Sequence, residues 1–348
     1  MKEKLLILCN DLGESIFCKG IAILKEKYSV KIIKRPCSYP TDLKSSNYSI
    51  FRGLNIFLLS HKTRKIDIDI LNSIGEERFD KFLVFGYFQM HNSIVRKIKK
   101  NNPNCETVIY FYDSFCRLNF SNDIRLFDKC FTFDRDDALN YGIEYLPFFA
   151  ETYDKVDIKY EMCHIGSWSP GHLYRLPCLE ELNELLEKNG LHGFFKCTYL
   201  NLNSLSGIRK MAFYVKCIFN REHRLYKRLL EQYKNSSILT TERMSYIDMI
   251  TKEAASKCIV EINARRAGLS PRVINALANG RKVIINNPKI RNEIFYNPNG
   301  IYIIDEENPK LDANFLASDF QCLDMSDLAI DNWLNIVLEG GTNKYSVL

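Results

Sequence analysis

Residues 259–287 read IVEINARRAGLSPRVINALANGRKVIINN, and the fold turns on this stretch. The apolar run up to Asn263 has the pattern of a strand buried on both faces. A loop follows, with two adjacent cations, Arg265 and Arg266, and then Gly268 and Leu269. Ser270 is a favourable N-cap and Pro271 suits the first helical position, so a helix is expected from there to about Asn279. Gly280 is placed to stop it, and KVIIN at 282–286 reads as the next buried strand. The unit is strand, basic glycine-containing loop, capped helix, strand. Such a helix start presents unpaired N–H groups and a partial positive charge, here with Arg265, Arg266 and Arg272 nearby. That chemistry suits an anion of diphosphate size. The same residues would equally build an ordinary βαβ unit with a solvated basic loop.

At 348 residues the chain is long for one domain and comfortable for two. Its 46% apolar and 26% charged residues are ordinary for a soluble globular protein, and a net charge of +6 does not by itself call for nucleic acid. The opening MKEKLLILCN has a short apolar run followed by Asp11 and Glu14, too short for a signal-peptide core. No later segment reaches the roughly 18 apolar residues that span a bilayer. The twelve cysteines are scattered, with no CxxC pair and no Cys/His cluster, so they read as reduced, buried thiols. The expected location is cytoplasmic, with no metal centre of the zinc type.

In the first half, strands are expected at 4–9, 30–36, 80–88, 106–114 and 128–134, alternating with helices at 15–27 and 92–101. The first turn has a single glycine, Gly13, and no dinucleotide fingerprint. The run at 53–59 reads as helix or strand. The fourth of these strands delivers Asp113 at its carboxyl end, where ligands of open α/β sheets collect, so Asp113 is the candidate general base; an Asp there also caps turns. Asp67 and Asp69, and again Asp134 and Asp136, have a spacing that suits a divalent cation. The first pair alternates with Ile66, Ile68 and Ile70 as a two-residue amphipathic pattern, and Asp136 and Asp137 fit a first helical turn. Residues 143–149 then leave the sheet, and 151–161 is polar enough for an interdomain linker.

The second half restarts the pattern. A strand CHIG meets a loop rich in Ser, Gly and Pro and then an amphipathic helix, which makes Gly166, Ser167 and Arg175 candidates for phosphate contact. His164 and His172 read as structural or solvent-facing. Residues 191–235 hold nine Lys or Arg against two Glu, a surplus larger than the net charge of the chain, interleaved with Phe, Tyr and Ile. This is either an interfacial patch for anionic lipid or a solvated helix face; no nucleic-acid-binding motif is present. Strand 237–241 and helix 245–257 follow, the latter with Ser245 and Asp248 spaced as a capping box. A strand at 299–305 and a helix over 327–339 with a loose tail close the chain. The domains expected are 1–155 and 156–325, with 326–348 as C-terminal helix and tail.

Three segments, FDKCFTFDRDDALNYGIEYLPFF, CHIGSWSPGHLYRL and GLSPRVINALANGRKVIINNPKIRNEIFYNPNGIYII, resemble bacterial glycosyltransferases of surface-polysaccharide biosynthesis, the CgeB-like and lipopolysaccharide-biosynthesis group. The resemblance covers most of residues 105–305. It implies a GT-B α/β fold of two Rossmann-like domains with parallel sheets facing across a cleft. It implies transfer from a nucleotide-sugar donor to a glycan or lipid-linked acceptor, with no metal and no cofactor beyond the donor, because amides and cations stabilise the leaving diphosphate. Gly268, Leu269, Ser270 and Arg272 fall on the loop and helix start that would hold the phosphates. Asn275 stands where the family usually has the Glu that binds the donor ribose, so one hydrogen bond without charge is expected there. An epimerase of the same fold and a non-catalytic scaffold of a membrane-bound glycan assembly complex are the competing functional readings.

Overall fold

The computed structural model describes residues 2–10, 16–35, 65–86, 93–115, 124–263 and 268–348. Gly13, the 53–59 run, Arg265 and Arg266 lie outside the described residues. The chain divides into two compact units. One comprises Met1–Phe149, Ala267–Leu269 and Ser326–Leu348; the other comprises Ala150–Arg266 and Ser270–Met325.

The first unit is built on six parallel strands in the order β2-β1-β3-β4-β5-β6. They are β1 (Lys4–Cys9), β2 (Ser29–Lys34), β3 (Lys81–Phe85), β4 (Glu106–Phe111), β5 (Lys129–Thr132) and β6 (Glu144–Tyr145). Central strands such as LLILC are buried along their whole length, because helices cover both faces of a parallel sheet. Helices α1 (Cys18–Lys27), α2 (65–74), α3 (Ser93–Asn101) and α4 (Arg135–Tyr141) supply that cover. Two expectations fail here. The segment leaving the sheet after Gly142 first adds the edge strand β6, paired in parallel with β5. And 66–70 is helix: Asp67, Ile70 and Ile74 are buried at helical spacing while Ile68 faces solvent. Asp67 lies 2.9 Å from Arg35 in a fully buried ion pair, so the Asp67–Asp69 spacing places the two carboxylates in different environments and builds no cation site.

The C-terminal segment belongs to this first unit. Helix α11 (Ile330–Leu334) inserts Trp333 among Phe17, Phe85, Tyr110 and Phe149, with ring centroids 4.7–6.1 Å apart, and the indole N–H donates to Pro147 O at 3.0 Å. The tail is not loose: Asn343 donates to Tyr145 O at 2.9 Å and Tyr345 is buried.

The second unit has six parallel strands in the order β12-β11-β10-β7-β8-β9. They are β7 (Tyr160–Trp168), β8 (Gly193–Tyr199), β9 (Leu239–Thr240), β10 (Ser256–Glu261), β11 (Lys282–Ile285) and β12 (Ile301–Ile303). Helices α5 (Arg175–Lys188), α6 (Gly207–Phe219), α7 (Arg221–Gln232), α8 (Tyr246–Ala254), α9 (Pro271–Ala278) and α10 (Ala313–Ala317) pack around it. Ser245 Oγ accepts from Asp248 N at 3.1 Å and caps α8 as its sequence requires. Helix α9 ends as expected, with Gly280 at φ +67° where only glycine is unstrained.

Candidate functional site

In the second unit the chain runs outward from β7 to β9, returns to β10 beside β7, and then runs the other way to β12. The order reverses between β7 and β10, and open α/β sheets bind ligands at the carboxyl ends of strands at such a reversal. A pocket of about 140 Å³ lies there. Its walls are the 170–175 loop after β7, Ile262 and Asn263 after β10, Asn286 after β11, Glu306 after β12, and Glu222 at the start of α7.

The reversal leaves carbonyls without a strand partner, and Arg175 answers them. Its Nε donates to Ile262 O at 2.7 Å, Nη2 to Asn263 Oδ1 at 2.8 Å, and Nη1 to Ser167 O. Arg175 thus staples β7 to the end of β10 and forms one edge of the pocket. Gly166 and Ser167 also move. Strand β7 continues through Trp168, so both lie in the ladder, opposite Cys197 and Thr198 of β8. A Cβ on Gly166 would sit 2.9 Å from His164 Nε2 and 3.2 Å from Arg175 Nη1, so glycine is required for packing. His164 is buried and its Nδ1 pairs with Val260 O at 2.7 Å; burial, then Arg175, push its pKa well below the ordinary value, and it serves as a neutral core residue.

A polar network runs behind the pocket. Asn263 N donates to Asn286 Oδ1 at 2.9 Å, and Asn286 Nδ2 donates to Asn263 O at 2.7 Å and to Glu306 Oε2 at 2.9 Å. Asn263 Nδ2 also donates to Glu261, which links the network to Arg272. Arg272 Nε meets Glu253 at 2.6 Å, Nη1 meets Glu261 at 2.7 Å, and Nη2 donates to Ile165 O at 2.6 Å. Burial opposes the charge on Arg272, but Glu261 and Glu253 outweigh it and hold the pKa above its ordinary value. Burial raises the Glu253 pKa despite Arg272, and Tyr153 donates to the same carboxylate at 3.2 Å. The Arg272 guanidinium is thus engaged by Glu253, Glu261 and Ile165 O.

The other expected residues separate. Ser270 occupies the N-cap position of α9 but makes no side-chain cap hydrogen bond, and its buried Oγ has no partner. Asn275 is 2% exposed and accepts from Glu151 N at 2.9 Å. Asn279, one turn on, accepts from Tyr153 N at 2.7 Å and donates to Glu151 O at 2.7 Å. Asn275 and Asn279 therefore clamp residues 151–153: the Asn275 amide oxygen is taken by backbone, and the start of the expected linker is held and partly buried. Gly268 and Leu269 cluster with the first unit, where Gly268 N–H donates to Ser114 Oγ at 3.3 Å and an added Cβ would lie 2.8 Å from Phe133 O.

Asp113 lies two residues past the end of β4, half-buried. Beside it in sequence, Ser114 donates to Asp134 and Phe115 N donates to Asp137 at 2.6 Å. Asp134 caps α4 through Asp136 N and Asp137 N, so the Asp134–Asp136 spacing serves a helix start. Among the described residues no group of three or more His, Cys, Asp or Glu is arranged to hold a metal.

Sequence reading missed Asn263, Asn286, Glu306 and Glu222. The first three had a signal: each lies within three residues of the carboxyl end of a strand that converges on the reversal. Glu222 had none, since its place depends on how α7 packs.

No protein-family model matches the chain, and no curated protein matches it. Among solved structures it is similar to the trehalose-6-phosphate phosphatase N-terminal domain of Candida albicans, with a TM-score of 0.52 and 9% identity over 98% of this chain and 94% of that one. It is also similar to an alpha,alpha-trehalose-phosphate synthase (UDP-forming) from Burkholderia vietnamiensis, with a TM-score of 0.51 and 7% identity over 91% and 88%. At such identities the likeness is one of fold. The two parallel six-stranded sheets match the GT-B glycosyltransferase fold.

Proposed function

We propose that the chain is a metal-independent glycosyltransferase that moves a sugar from a nucleotide-sugar donor to a glycan or lipid-linked acceptor in surface-polysaccharide biosynthesis. The observation that carries this is the pocket at the β7/β10 reversal of the second unit, on a GT-B fold. Its volume of about 140 Å³ is below the ~300–1,000 Å³ of sites that enclose a whole ligand, so it takes one part of the donor. Glu222, Glu306 and two asparagine side chains among the walls suit hydroxyl groups better than phosphate oxygens, because carboxylates accept hydrogen bonds and repel anions. The pocket is assigned to donor hydroxyls. The diphosphate is assigned to the start of α9, where Ser270 leaves the cap unfilled, with Arg265 and Arg266 supplying charge.

If the reaction inverts configuration, Asp113 is the assigned base; a retaining reaction requires none. The synthase of the same fold is described as UDP-forming, and release of a nucleoside diphosphate is the reaction assigned here. The test is to incubate the full chain with UDP-, GDP-, CMP- and dTDP-sugars, with and without a lipid-linked glycan acceptor, and to measure nucleotide release. Release that requires acceptor and survives a chelator supports the assignment. Conversion of the donor sugar without acceptor points to an epimerase, binding without turnover to a scaffold, and loss in chelator to a metal-dependent reaction.

A further inference from the structure

Helix α6 (Gly207–Phe219) is amphipathic with an apolar face turned outward. Only Phe213 and Cys217, one turn apart, are buried in the unit; Phe213 packs on Tyr226 and His223 of α7. At about 100° per residue, Ile208, Met211, Ala212, Val215, Ile218 and Phe219 fall within an arc of roughly 120° on the opposite side. The structure leaves that arc in solvent: Ile208 is 80% exposed, Met211 64%, Ile218 63% and Phe219 58%. A surface helix ordinarily turns its polar side outward, and contiguous exposed apolar ridges mark interaction sites.

Cations flank the ridge on both sides. Arg209 and Lys216 fall on one edge of the arc. On the other, Lys227 of α7 stands 4.8 Å over the Tyr214 ring, and Arg224 Nη1 donates to Ile218 O at 2.7 Å, which brings its charge to the end of the ridge. The only carboxylates of residues 191–235 are Glu222 and Glu231, both on α7. Among the described residues no helix is long and apolar enough to cross a membrane, so an association through this face is with a surface.

We infer that α6 docks the second unit on a bilayer surface rich in anionic lipid, with Ile208, Met211, Val215, Ile218 and Phe219 in the headgroup–acyl boundary and Arg209, Lys216, Arg224 and Lys227 against the phosphates. Charge complementarity selects this occupant. A second copy of the chain laid on the same face would bring two cationic rims together, and an uncharged bilayer would offer them no net opposite charge. The inference stands apart from the donor assignment and survives its failure.

The test is sedimentation of the full chain with two vesicle types, pure phosphatidylcholine and an equimolar mixture of phosphatidylcholine and phosphatidylglycerol. Binding to the mixed vesicles alone is expected, falling at least tenfold when 1 M salt shortens the screening length to about 3 Å. Ile218→Asn with Phe219→Asn, and separately Arg209→Glu with Lys216→Glu, should each abolish binding and leave the thermal melt unchanged, because all four residues are exposed. Absence of binding by the wild type, equal binding to both vesicle types, or binding untouched by both double variants overturns the inference. So does a concentration-dependent dimer, measured by light scattering, that the ridge variant dissolves. Should a variant fail to fold, the lipid and salt dependence of the wild type still decides.

Discussion

Arg272 is the residue on which the second unit's interior charge depends. Glu253 and Glu261 approach it from two elements, and Glu253 is 1% exposed. Removing the cation leaves two carboxylates buried together, a change that costs about 3–5 kcal/mol. Arg272→Ala should therefore lower unfolding stability by that amount in urea titration; a loss under about 1 kcal/mol would contradict the ion-pair assignment. A second titratable residue works in the opposite sense. Burial first, and then Asp134, push Asp137 from 3.8 up to about 6, although Phe115 N–H partly opposes the shift. The folded chain then keeps this proton to higher pH than the unfolded chain does. Its contribution is fully present below 3.8 and is lost as pH rises through about 6. Asp137→Asn keeps the acceptor for Phe115 N–H and removes the charge. It should melt higher than wild type at pH 7.5 by the equivalent of about 1–3 kcal/mol, with the gap closing by pH 4. A gap that is constant with pH would show that Asp137 is not strained by ionisation.

Among the elements, α11 closes the first unit by placing Trp333 in an aromatic cluster drawn from β3, β4 and the 146–149 segment. Trp333→Ala should cost about 3–5 kcal/mol as a cavity, read by denaturant midpoint, whereas exposed Asp331 should tolerate substitution within about 0.5 kcal/mol. The elements that sequence reading located, β1, β4, α8 and α9, carry their instructions locally: unbroken apolar runs, a capping box, a proline at the first helical position and a stopping glycine. Strand β8 was hidden because its alternation of Phe195 and Cys197 with Lys196 and Thr198 lies inside a segment dominated by cations. The length of β7 was hidden because Gly166, Ser167 and Ser169 have the composition of a loop, and only the packing of Gly166 on His164 and Arg175 shows the strand continuing. Asn275 was legible as a helix residue on the side of Arg272. Its partner, Glu151 N, is 124 residues away in sequence, and no local pattern encodes a contact of that kind.

At the scale of the molecule, the strand order of the second sheet reverses between β7 and β10, and a pocket lies there, walled by residues that follow β7, β10, β11 and β12. In the proposed function this pocket takes part of a nucleotide-sugar donor. Gly171 offers a direct way to block it, since it lines the pocket and an added Cβ would meet nothing closer than Ser169 Oγ at 4.0 Å. Calorimetric titration of wild type and Gly171→Trp with UDP, GDP, CMP and dTDP is the decisive measurement. One nucleotide should bind the wild type, adding about 2.7 kcal/mol of stability at a hundredfold excess over Kd, while Gly171→Trp folds normally and loses that binding at least tenfold. Failure of all four nucleotides to bind the wild type, or equal binding by Gly171→Trp, would contradict it.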